Sequence, residues 1–229
     1  MKILQFLPDV LRERRLSTLV KPHTLVGRER IRNLYRLARQ IEIEKIPGDV
    51  VECGVYHGGT AAILGHFATN SQMNRTLWLF DSFQGMPATT EADSKGVDGV
   101  SADTYVSDLV GDIERVRTVL SSVGTNMARV RIVPGWFQDT FPTLPAFRIA
   151  VLNIDADWYE SVKLCLETFF DRVEPGGFVS IDDYGHWPGC KKAVEEFFER
   201  RGFHPKLQHT DYSARWFQKP QTIPLKGDS

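Results

Sequence analysis

Short apolar segments alternate with segments of helical periodicity along most of this 229-residue chain. Five of the apolar segments are rich in the β-branched and aromatic residues that form buried strands. Strands that alternate with helices in this way pack into a mostly parallel sheet with helices on both faces. The chain length suits one large α/β domain better than two small ones. The five predicted strands cover residues 49–53, 76–80, 129–133, 149–154 and 178–181.

Helical periodicity predicts the elements between and after these strands. Helices are expected over residues 28–46 and 58–70, and Pro47 with Gly48 ends the first of them. Two more helices, a turn and two short strands are expected nearer the carboxyl terminus. The first of these helices has one apolar face formed by Val162, Leu166, Phe169, Phe170 and Val173, and the second has one formed by Val194, Phe197 and Phe198. The turn is expected at residues 175–177 and the strands near residues 206–210 and 214–218.

Residues 82–110 lack clear periodicity and contain many Gly, Ser, Asp and Thr residues. So long an irregular stretch in a compact domain is unusual and is often a lid or a binding loop. We therefore predict a domain over residues 28–219 with a lid at about 82–110. Residues 1–27 then form an N-terminal segment for contact with a substrate or a second copy of the chain, and residues 220–229 form a tail.

Charge and cysteine content argue against several classes of function. The chain carries 28 basic and 29 acidic residues without a long run of one sign, so neither nucleic acid nor an anionic membrane is its expected partner. Cys53, Cys165 and Cys190 are odd in number and lack C-x-x-C spacing, which predicts buried, reduced thiols. No apolar run approaches the roughly 20 residues that span a bilayer, and the N-terminus lacks the pattern of a secretion signal. These features predict a cytoplasmic protein.

Ligands of parallel sheets bind beyond the carboxyl ends of the strands, where this sequence places unusual residues. The first strand leads into Glu52, Cys53 and Gly54, followed by Gly58 and Gly59. Glycines here allow a sharp turn and a close approach of the backbone to a ligand. Their G-x-x-x-G-G spacing differs from the G-x-G-x-x-G of dinucleotide-binding folds, and a purely structural turn is the alternative. Glu52 would repel a phosphate but suits the cationic amino group of S-adenosylmethionine (SAM).

Asp81 ends the second predicted strand, where an acidic residue accepts hydrogen bonds from ribose hydroxyls. An aspartate at this point can also form a turn or cap a helix. Because Glu52 and Gly54 already indicate a ligand at the neighbouring strand, nucleoside binding is the better interpretation.

Three further aspartates follow predicted strands, namely Asp155, Asp182 and Asp183. Converging carboxylates repel one another and have raised pKa values unless a positive charge neutralises them. Oxygen ligands suit a hard cation, above all Mg2+, whereas zinc prefers cysteine or histidine. A structural Asp-Asp turn is the alternative. Asp157 has another interpretation, because Glu160 follows it by three residues as in a capping box, and we predict that Asp157 caps the next helix.

His57 and His186 are the histidines nearest these motifs. A lone histidine in a loop is more often a surface residue than a catalytic one, so His186 is only a second choice of general base. Four aromatic residues fit either the lining of a pocket or ordinary core packing: Trp136, Phe137, Trp158 and Trp187.

Five motifs, in order, resemble the macrocin O-methyltransferase family, which includes sugar methyltransferases of the mycinamicin and novobiocin pathways. The resemblance covers roughly residues 45–218. Tyr56 and His57 depart from it, because they stand where relatives usually have Trp and Arg. The motifs are residues 51–59 (VECGVYHGG), 81–87 (DSFQGMP), 135–140 (GWFQDT), 154–161 (IDADWYES) and 176–184 (GGFVSIDDY).

The resemblance implies a class I methyltransferase fold, Rossmann-like, with seven strands of which the last is antiparallel. It implies Mg2+ held by Asp155, Asp182 and Asp183, and acceptors that are mostly deoxysugar hydroxyls on macrolides and aminocoumarins. The residues expected to contact SAM are Glu52, Cys53, Gly54, Tyr56, Gly58, Gly59, Thr60, Asp81, Ser82, Trp136, Phe137 and Asp155.

These observations predict Mg2+-assisted transfer of a methyl group from SAM to a hydroxyl of a small molecule, expected to be a sugar. Asp155 is the preferred proton acceptor and His186 the second. Three alternatives are a metal-independent methyltransferase with His186 or His57 as base, a nicotinamide-dependent oxidoreductase and a non-catalytic nucleotide-binding subunit. The glycine spacing and the acidic pair argue against the oxidoreductase. A homo-oligomer is also expected.

Overall fold

A seven-stranded sheet forms the centre of the protein. The computed structural model describes residues 8–222, so residues 1–7 of the predicted N-terminal segment and 223–229 of the predicted tail lie outside the described residues. The strands are β1 (Asp49–Cys53), β2 (Leu77–Asp81), β3 (Val130–Pro134), β4 (Ile149–Ile154), β5 (Val173–Ile181), β6 (Gln208–His209) and β7 (Arg215–Gln218).

The strand order of the sheet is β3-β2-β1-β4-β5-β7-β6. Neighbouring strands from β3 to β5 run parallel, whereas β7 is antiparallel to both β5 and β6. Successive strands are added in one direction from β1 to β3 and in the other direction from β4 onward. The crevice between β1 and β4 is therefore the topological switch point, where ligands of such sheets bind. The predicted mostly parallel seven-stranded α/β fold is confirmed.

Helices cover both faces of the sheet and build a separate hydrophobic core on each. They are α1 (Asp9–Val20), α2 (Arg28–Ile43), α3 (Gly59–Ala68), α4 (Ile113–Ser122), α5 (Phe137–Thr140), α6 (Tyr159–Phe169) and α7 (Pro188–Arg201). Because side chains alternate along a strand, Val50 joins the core of α1 to α4, whereas Val51 joins the core of α6 and α7. None of the helices in residues 8–222 is long and apolar enough to cross a membrane.

Helices α1 and α4 lie outside the elements predicted from the sequence. Helix α1 occupies part of the N-terminal segment and buries Leu16 and Val20 in the core shared with α2 and α3. Helix α4 begins after Asp112, whose carboxylate accepts hydrogen bonds from the backbone N–H groups of Glu114 and Arg115 at 2.9 and 3.1 Å. This is an ordinary N-cap, so a local signal for α4 is present in the sequence.

The predicted turn at residues 175–177 is wrong, because these residues lie within β5. Ile149 of β4 pairs with Val173 and Val151 pairs with Phe178, so β5 bulges outward between the two pairs. Residues 174–177 are left out of the pairing with β4, while Gly176 and Gly177 form backbone hydrogen bonds with Lys219 on the other side, so proline and glycine are tolerated here. Val173 is therefore the first residue of β5 and not part of the helical face to which it was assigned.

Residues 82–110 contain one short 3-10 turn, Ala102–Tyr105, and no longer helix or strand among these described residues. The stretch is tied to the body through Asp93, whose carboxylate accepts a hydrogen bond from the backbone N–H of Tyr159 at 2.8 Å. Its movement as a lid stays a prediction.

Arg75 is a buried cation at the amino ends of the strands, on the side of the sheet opposite to the predicted site. Its Nε donates to Glu42 Oε1 at 2.6 Å, and its two terminal nitrogens donate to the carbonyl oxygens of Gly48 and Ile41 at 2.6 and 3.1 Å. The side chain thus joins the end of α2 to the residue that precedes β1.

We expect the substitution Arg75→Met to lower the free energy of unfolding by about 2–3 kcal/mol, because it removes the donor to the Gly48 carbonyl and the cationic partner of Glu42. Urea denaturation followed by circular dichroism measures the change. The matched control is Arg117→Met, since Arg117 forms only an exposed pair with Glu114 on α4, and its effect should stay below about 0.5 kcal/mol. Equal stability of the Arg75→Met variant and the wild type would contradict the assignment.

Candidate active site

A cavity of about 420 Å³ opens at the carboxyl ends of the strands, beside the crevice between β1 and β4. A smaller and more apolar cavity of about 90 Å³ adjoins it, and the two share Gly54, Asp81 and Asp155 in their walls. Predicted site residues that line the larger cavity are Gly54, Tyr56, Thr60, Asp81, Asp155, Asp182 and Asp183, and those that line the smaller one include Ser82, Trp136 and Phe137.

Gly54 and Gly58 shape the turn that follows β1, and both have left-handed backbone angles, with φ of 87° and 83°. A Cβ atom on Gly54 would lie 1.7 Å from the backbone oxygen of Asp155, so only glycine allows the ends of β1 and β4 to approach this closely. Gly58 precedes α3 as its N-cap, and a Cβ there would lie 3.0 Å from the Cα of Val116. The expected sharp turn is present, whereas the close approach of its backbone to a ligand stays a prediction.

Asp81 holds together the loops that follow β1 and β2. Its Oδ2 accepts hydrogen bonds from the backbone N–H groups of Val55 and Tyr56 at 2.7 and 2.9 Å. Its Oδ1 accepts one from Phe83 at 2.7 Å. These contacts use three of the roughly four acceptor positions of a carboxylate. Asp81 therefore holds the loops and keeps capacity for one ligand hydroxyl.

Glu52 is fully buried beneath the glycine turn and lines neither cavity. Its Oε1 accepts a hydrogen bond from Asn153 Nδ2 at 2.9 Å, while Oε2 has no partner among the described residues. Burial raises the pKa of Glu52 to about 8, although hydrogen bonds from Asn153 and Thr60 oppose the rise. The carboxyl group lies behind the cavity wall, and its contact with a ligand stays a prediction.

Three other predicted SAM contacts, Cys53, Gly58 and Gly59, also line neither cavity. The side chain of Cys53 is buried against Cys165 on the side of α6. A Cβ on Gly59 would lie 2.7 Å from the Cβ of Thr24, so this glycine permits close packing against the N-terminal segment. These residues therefore pack behind the cavity wall and do not line the cavities.

Carboxylates from the ends of β4 and β5 meet at the floor of the larger cavity. One oxygen each from Asp155, Asp157 and Asp183 lies within 4.8 Å of the other two. Oδ2 of Asp183 is buried and has no hydrogen-bond partner among the described residues. Such a cluster of oxygen atoms matches the ligands that Mg2+ prefers, and the unpartnered oxygen is consistent with a bound cation.

Asp182 lies beside this cluster and also binds the guanidinium of Arg30. Of the three predicted metal ligands, Asp155 and Asp183 belong to the group of oxygens within 4.8 Å of one another, in which Asp157 and not Asp182 is the third member. Asp182 is near enough for its charge to raise the pKa of both Asp155 and Asp157. Asp182 Oδ2 also accepts a hydrogen bond from Arg30, whose Nε donates to Asp211 Oδ2 at 2.7 Å. Arg30, in the first turn of α2, is thus the positive charge built into the acidic floor.

Burial and mutual repulsion raise the pKa values of the clustered carboxylates. Burial is the largest cause for Asp155, and its neighbours Asp182 and Asp183 raise its pKa further. Burial and then Asp182 raise the pKa of Asp157 to about 7. Burial raises the pKa of Asp182 to about 6 even though Arg30 opposes the rise. Arg30 alone does not supply the positive charge that four ionised carboxylates need.

The predicted capping role of Asp157 is wrong. Helix α6 has Trp158 at its N-cap position and no side-chain hydrogen bond there. Asp157 instead has a left-handed backbone, with φ of 51°, and lines both cavities. Its Oδ1 accepts a hydrogen bond from Trp187 Nε1 at 2.9 Å. Tertiary contacts have overridden the local capping pattern.

Neither predicted alternative base lines a cavity. The Nδ1 atom of His186 lies 3.1 Å from the hydroxyl of Tyr212, and its ring packs edge-on against Trp187 with centroids 4.6 Å apart. His57 stacks on Tyr56 with ring centroids 3.7 Å apart. The geometry therefore gives no support to the metal-independent alternative.

Of the four aromatic residues predicted either to line a pocket or to pack in the core, two do each. Trp136 and Phe137 line the smaller cavity. Trp158 and Trp187 are buried core residues with ring centroids 4.9 Å apart. Core packing is the role of this second pair, although Trp187 also orients Asp157.

Several lining residues were missed by sequence reasoning, because they come from distant parts of the chain. The segment between α1 and α2 contributes Leu25, the first turn of α2 contributes Arg30, and the β6–β7 loop contributes Asp211 and Tyr212. No local pattern marks these residues. Only the fold, which brings both segments over the carboxyl edge of the sheet, shows their proximity.

Comparison with known proteins gives consistent matches over most of the chain. The family described as Macrocin-O-methyltransferase (TylF) matches residues 9–219. The 8-demethyl-8-(2,3-dimethoxy-alpha-L-rhamnosyl)-tetracenomycin-C 4'-O-methyltransferase of Streptomyces olivaceus is 36% identical over 213 residues, covering 88% of this chain and 80% of that protein. Mycinamicin III 3''-O-methyltransferase of Micromonospora griseorubida is 34% identical over 200 residues, covering 86% of this chain and 78% of that protein.

A solved structure, that of the O-methyltransferase NovP, superposes with a TM-score of 0.76 at 33% identity, covering 86% of this chain and 82% of that chain. The five sequence motifs and the sheet order agree with this match. The chain is an O-methyltransferase and belongs to the macrocin O-methyltransferase family.

Proposed function

We propose that this enzyme transfers the methyl group of SAM to a sugar hydroxyl on a glycosylated small molecule, with Mg2+ held by the carboxylates at the cavity floor. The observation that carries the proposal is the group of Asp155, Asp157 and Asp183, which each place one oxygen within 4.8 Å of the other two, together with the unpartnered Oδ2 of Asp183. Arg30 balances only part of its charge, so a divalent cation is the natural complement.

Known relatives support the acceptor class and the methyl donor. The name of the Streptomyces olivaceus relative specifies a rhamnosyl-bearing acceptor, and that of the Micromonospora griseorubida relative specifies mycinamicin III. Two proteins that share the fold, from Bacillus cereus and Streptomyces achromogenes, were solved in complex with S-adenosylhomocysteine (SAH) and with SAM.

The two adjoining cavities suit the two ends of SAM. The smaller cavity, with the rings of Trp136 and Phe137 in its wall, fits the flat apolar adenine. Asp81 stands between the two cavities and retains capacity for a ribose hydroxyl. The reactive end would then point into the larger cavity, toward the carboxylates, which also favour a sulfonium cation.

The reaction consists of a methyl transfer and a proton transfer. When bound, SAM supplies a methyl group whose transfer breaks its C–S bond, forms the C–O bond of the product and leaves SAH. When bound by Asp155, Asp182 and Asp183, Mg2+ would lower the pKa of a neighbouring sugar hydroxyl. The hydroxyl proton passes to a carboxylate, for which Asp155 and Asp157 line the cavity. Trp187 Nε1 fixes the orientation of Asp157 for this purpose.

We expect Asp183→Asn to weaken the binding of Mn2+, a spectroscopic substitute for Mg2+, by at least about tenfold, because it removes an anionic ligand. Mg2+ should raise the melting temperature of the wild type, since the ion binds the folded state, but should have little effect on the variant. Without metal the variant should be at least as stable as the wild type, because one of several repelling charges is gone. Calorimetric titration and thermal denaturation measure these effects.

The matched control for this substitution is Asp139→Asn, since Asp139 is exposed and lines neither cavity. It should bind Mn2+ as tightly as the wild type does. Unchanged Mn2+ affinity in the Asp183→Asn variant would refute the cation site, whatever its activity.

We expect Trp136→Ala to weaken SAH binding by about tenfold or more, because the adenine ring loses an aromatic partner. Trp136→Phe keeps an aromatic ring and should retain most of the affinity. Calorimetric titration with SAH distinguishes the two variants. If Trp136→Ala binds SAH as the wild type does, then the adenine does not occupy the smaller cavity.

A further inference from the structure

The segment of residues 87–105 is fixed to the body of the protein at the starts of α6 and α7. Asp93 in this segment is only 9% exposed, and its Oδ1 accepts a hydrogen bond from the backbone N–H of Tyr159, the first residue of α6, at 2.8 Å. Its Oδ2 accepts hydrogen bonds from the backbone N–H and the hydroxyl of Thr90 at 3.0 and 2.9 Å. Asp93 therefore joins a turn within the segment to a helix outside it. We call residues 87–105 the bracket.

The start of α7 leaves room for the carboxylate of Asp93. A Cβ atom on Gly189, the second residue of α7, would lie 2.0 Å from Asp93 Oδ1. Gly189 does not have a left-handed φ, so glycine is needed at this position for space and not for backbone conformation. Because the amino ends of two helices favour a negative charge, the ionised carboxylate is also stabilised here.

Further contacts attach the bracket to the loops that precede α6 and α7. Trp158 Nε1 donates a hydrogen bond to the carbonyl oxygen of Pro87, at the start of the bracket, at 3.0 Å. The backbone N–H of Val97 donates to the carbonyl oxygen of His186 at 3.2 Å. Nearer the end of the bracket, Ala102 is buried in the hydrophobic core of α6 and α7. The bracket is thus attached at several points along its length.

The chain that leads into the bracket forms part of the wall of both cavities. Gly85 and Met86 line both cavities, and Pro87 lines the smaller one. The backbone N–H of Met86 donates to the carbonyl oxygen of Asp108 at 2.9 Å, and that of Ser107 donates to the carbonyl oxygen of Met86 at 3.0 Å. These bonds join the two ends of the bracket at the wall. The bracket is therefore one attachment of this wall, and the end of β2 is the other.

We propose that Asp93 is a positioning residue for the cofactor, because it docks the bracket and thereby holds residues 85–87 in place against bound SAM. The inference rests on the proposed function, which puts the adenine in the smaller cavity. Asp93 itself lines neither cavity, so its effect on the cofactor passes through the bracket. The bracket then acts as a support that stays docked and not as a lid that opens.

We expect Asp93→Ala to weaken SAH binding by about tenfold, because the cofactor must then order a wall that has lost one of its two attachments. Mn2+ affinity should stay within about twofold of the wild type, since the carboxylates at the floor follow β4 and β5. Calorimetric titration measures both affinities, and circular dichroism checks that the variant is folded. The matched control is Asp103→Ala, which removes an exposed carboxylate of the same bracket that bonds to Thr89 and should leave SAH affinity unchanged.

A second substitution disturbs the same contact and leaves the carboxylate itself unchanged. Gly189→Ala should weaken SAH binding to a similar extent, because its Cβ displaces the Asp93 carboxylate. In the double variant Asp93→Ala/Gly189→Ala, the clashing carboxylate is gone, so SAH affinity should equal that of Asp93→Ala alone. Additive losses in the double variant would show that the two residues act separately, and they would overturn the proposal.

Hydrogen exchange followed by mass spectrometry distinguishes a support from a lid. In the wild type, exchange of residues 87–105 should change little when SAH is added, whereas in Asp93→Ala it should be faster even without ligand. Strong protection of the wild-type bracket by SAH would overturn the support role. If Trp136→Ala weakens SAH binding but Asp93→Ala does not, the cofactor site stands and the role of Asp93 is wrong. If neither substitution weakens it, both assignments are wrong.

Discussion

Mutual repulsion among four neighbouring carboxylates, two of them buried and two half-buried, is the main constraint on the carboxyl edge of the sheet. Asp155 and Asp157 follow β4, and Asp182 and Asp183 follow β5, so adjacency of two parallel strands brings all four together. In a dry site this arrangement strongly disfavours the ionised forms. Arg30 relieves part of the repulsion from the start of α2. A bound divalent cation, as proposed above, would relieve the rest.

Much of the fold follows from local sequence, because buried parallel strands are continuous apolar runs. β1 and β4 have the predicted bounds, and Asp155 and Asp183, predicted at the ends of two strands, have oxygens within 4.8 Å of each other. Alternation of strands with helices predicts a parallel sheet, and ligands of parallel sheets bind beyond the carboxyl ends of the strands. The acidic cluster was therefore predictable once β4 and β5 were placed, whereas its binding of a metal ion stays a prediction.

What the sequence concealed depends on contacts between distant residues. Asp157 has the local pattern of a helix cap, and only its hydrogen bond to Trp187 and its left-handed backbone place it in the cluster. Arg30 lies in an amphipathic helix where a basic residue at the solvent boundary is unremarkable. Its role arises because the β6–β7 loop delivers Asp211 to the same point. No periodicity or motif encodes that encounter.

Three strained residues at the site are held in place by hydrogen bonds with Asp81 or Trp187. Tyr56, Phe83 and Asp157 all have left-handed φ angles, which cost non-glycine residues of order 1–3 kcal/mol each. The backbone N–H groups of the first two donate to the Asp81 carboxylate, and the side chain of the third accepts a hydrogen bond from Trp187. The strained residues are thus fixed by groups that belong to the protein and not to a ligand. Because the loops are already ordered, little of the binding free energy of a ligand is spent on ordering them, and more remains to align the reacting groups.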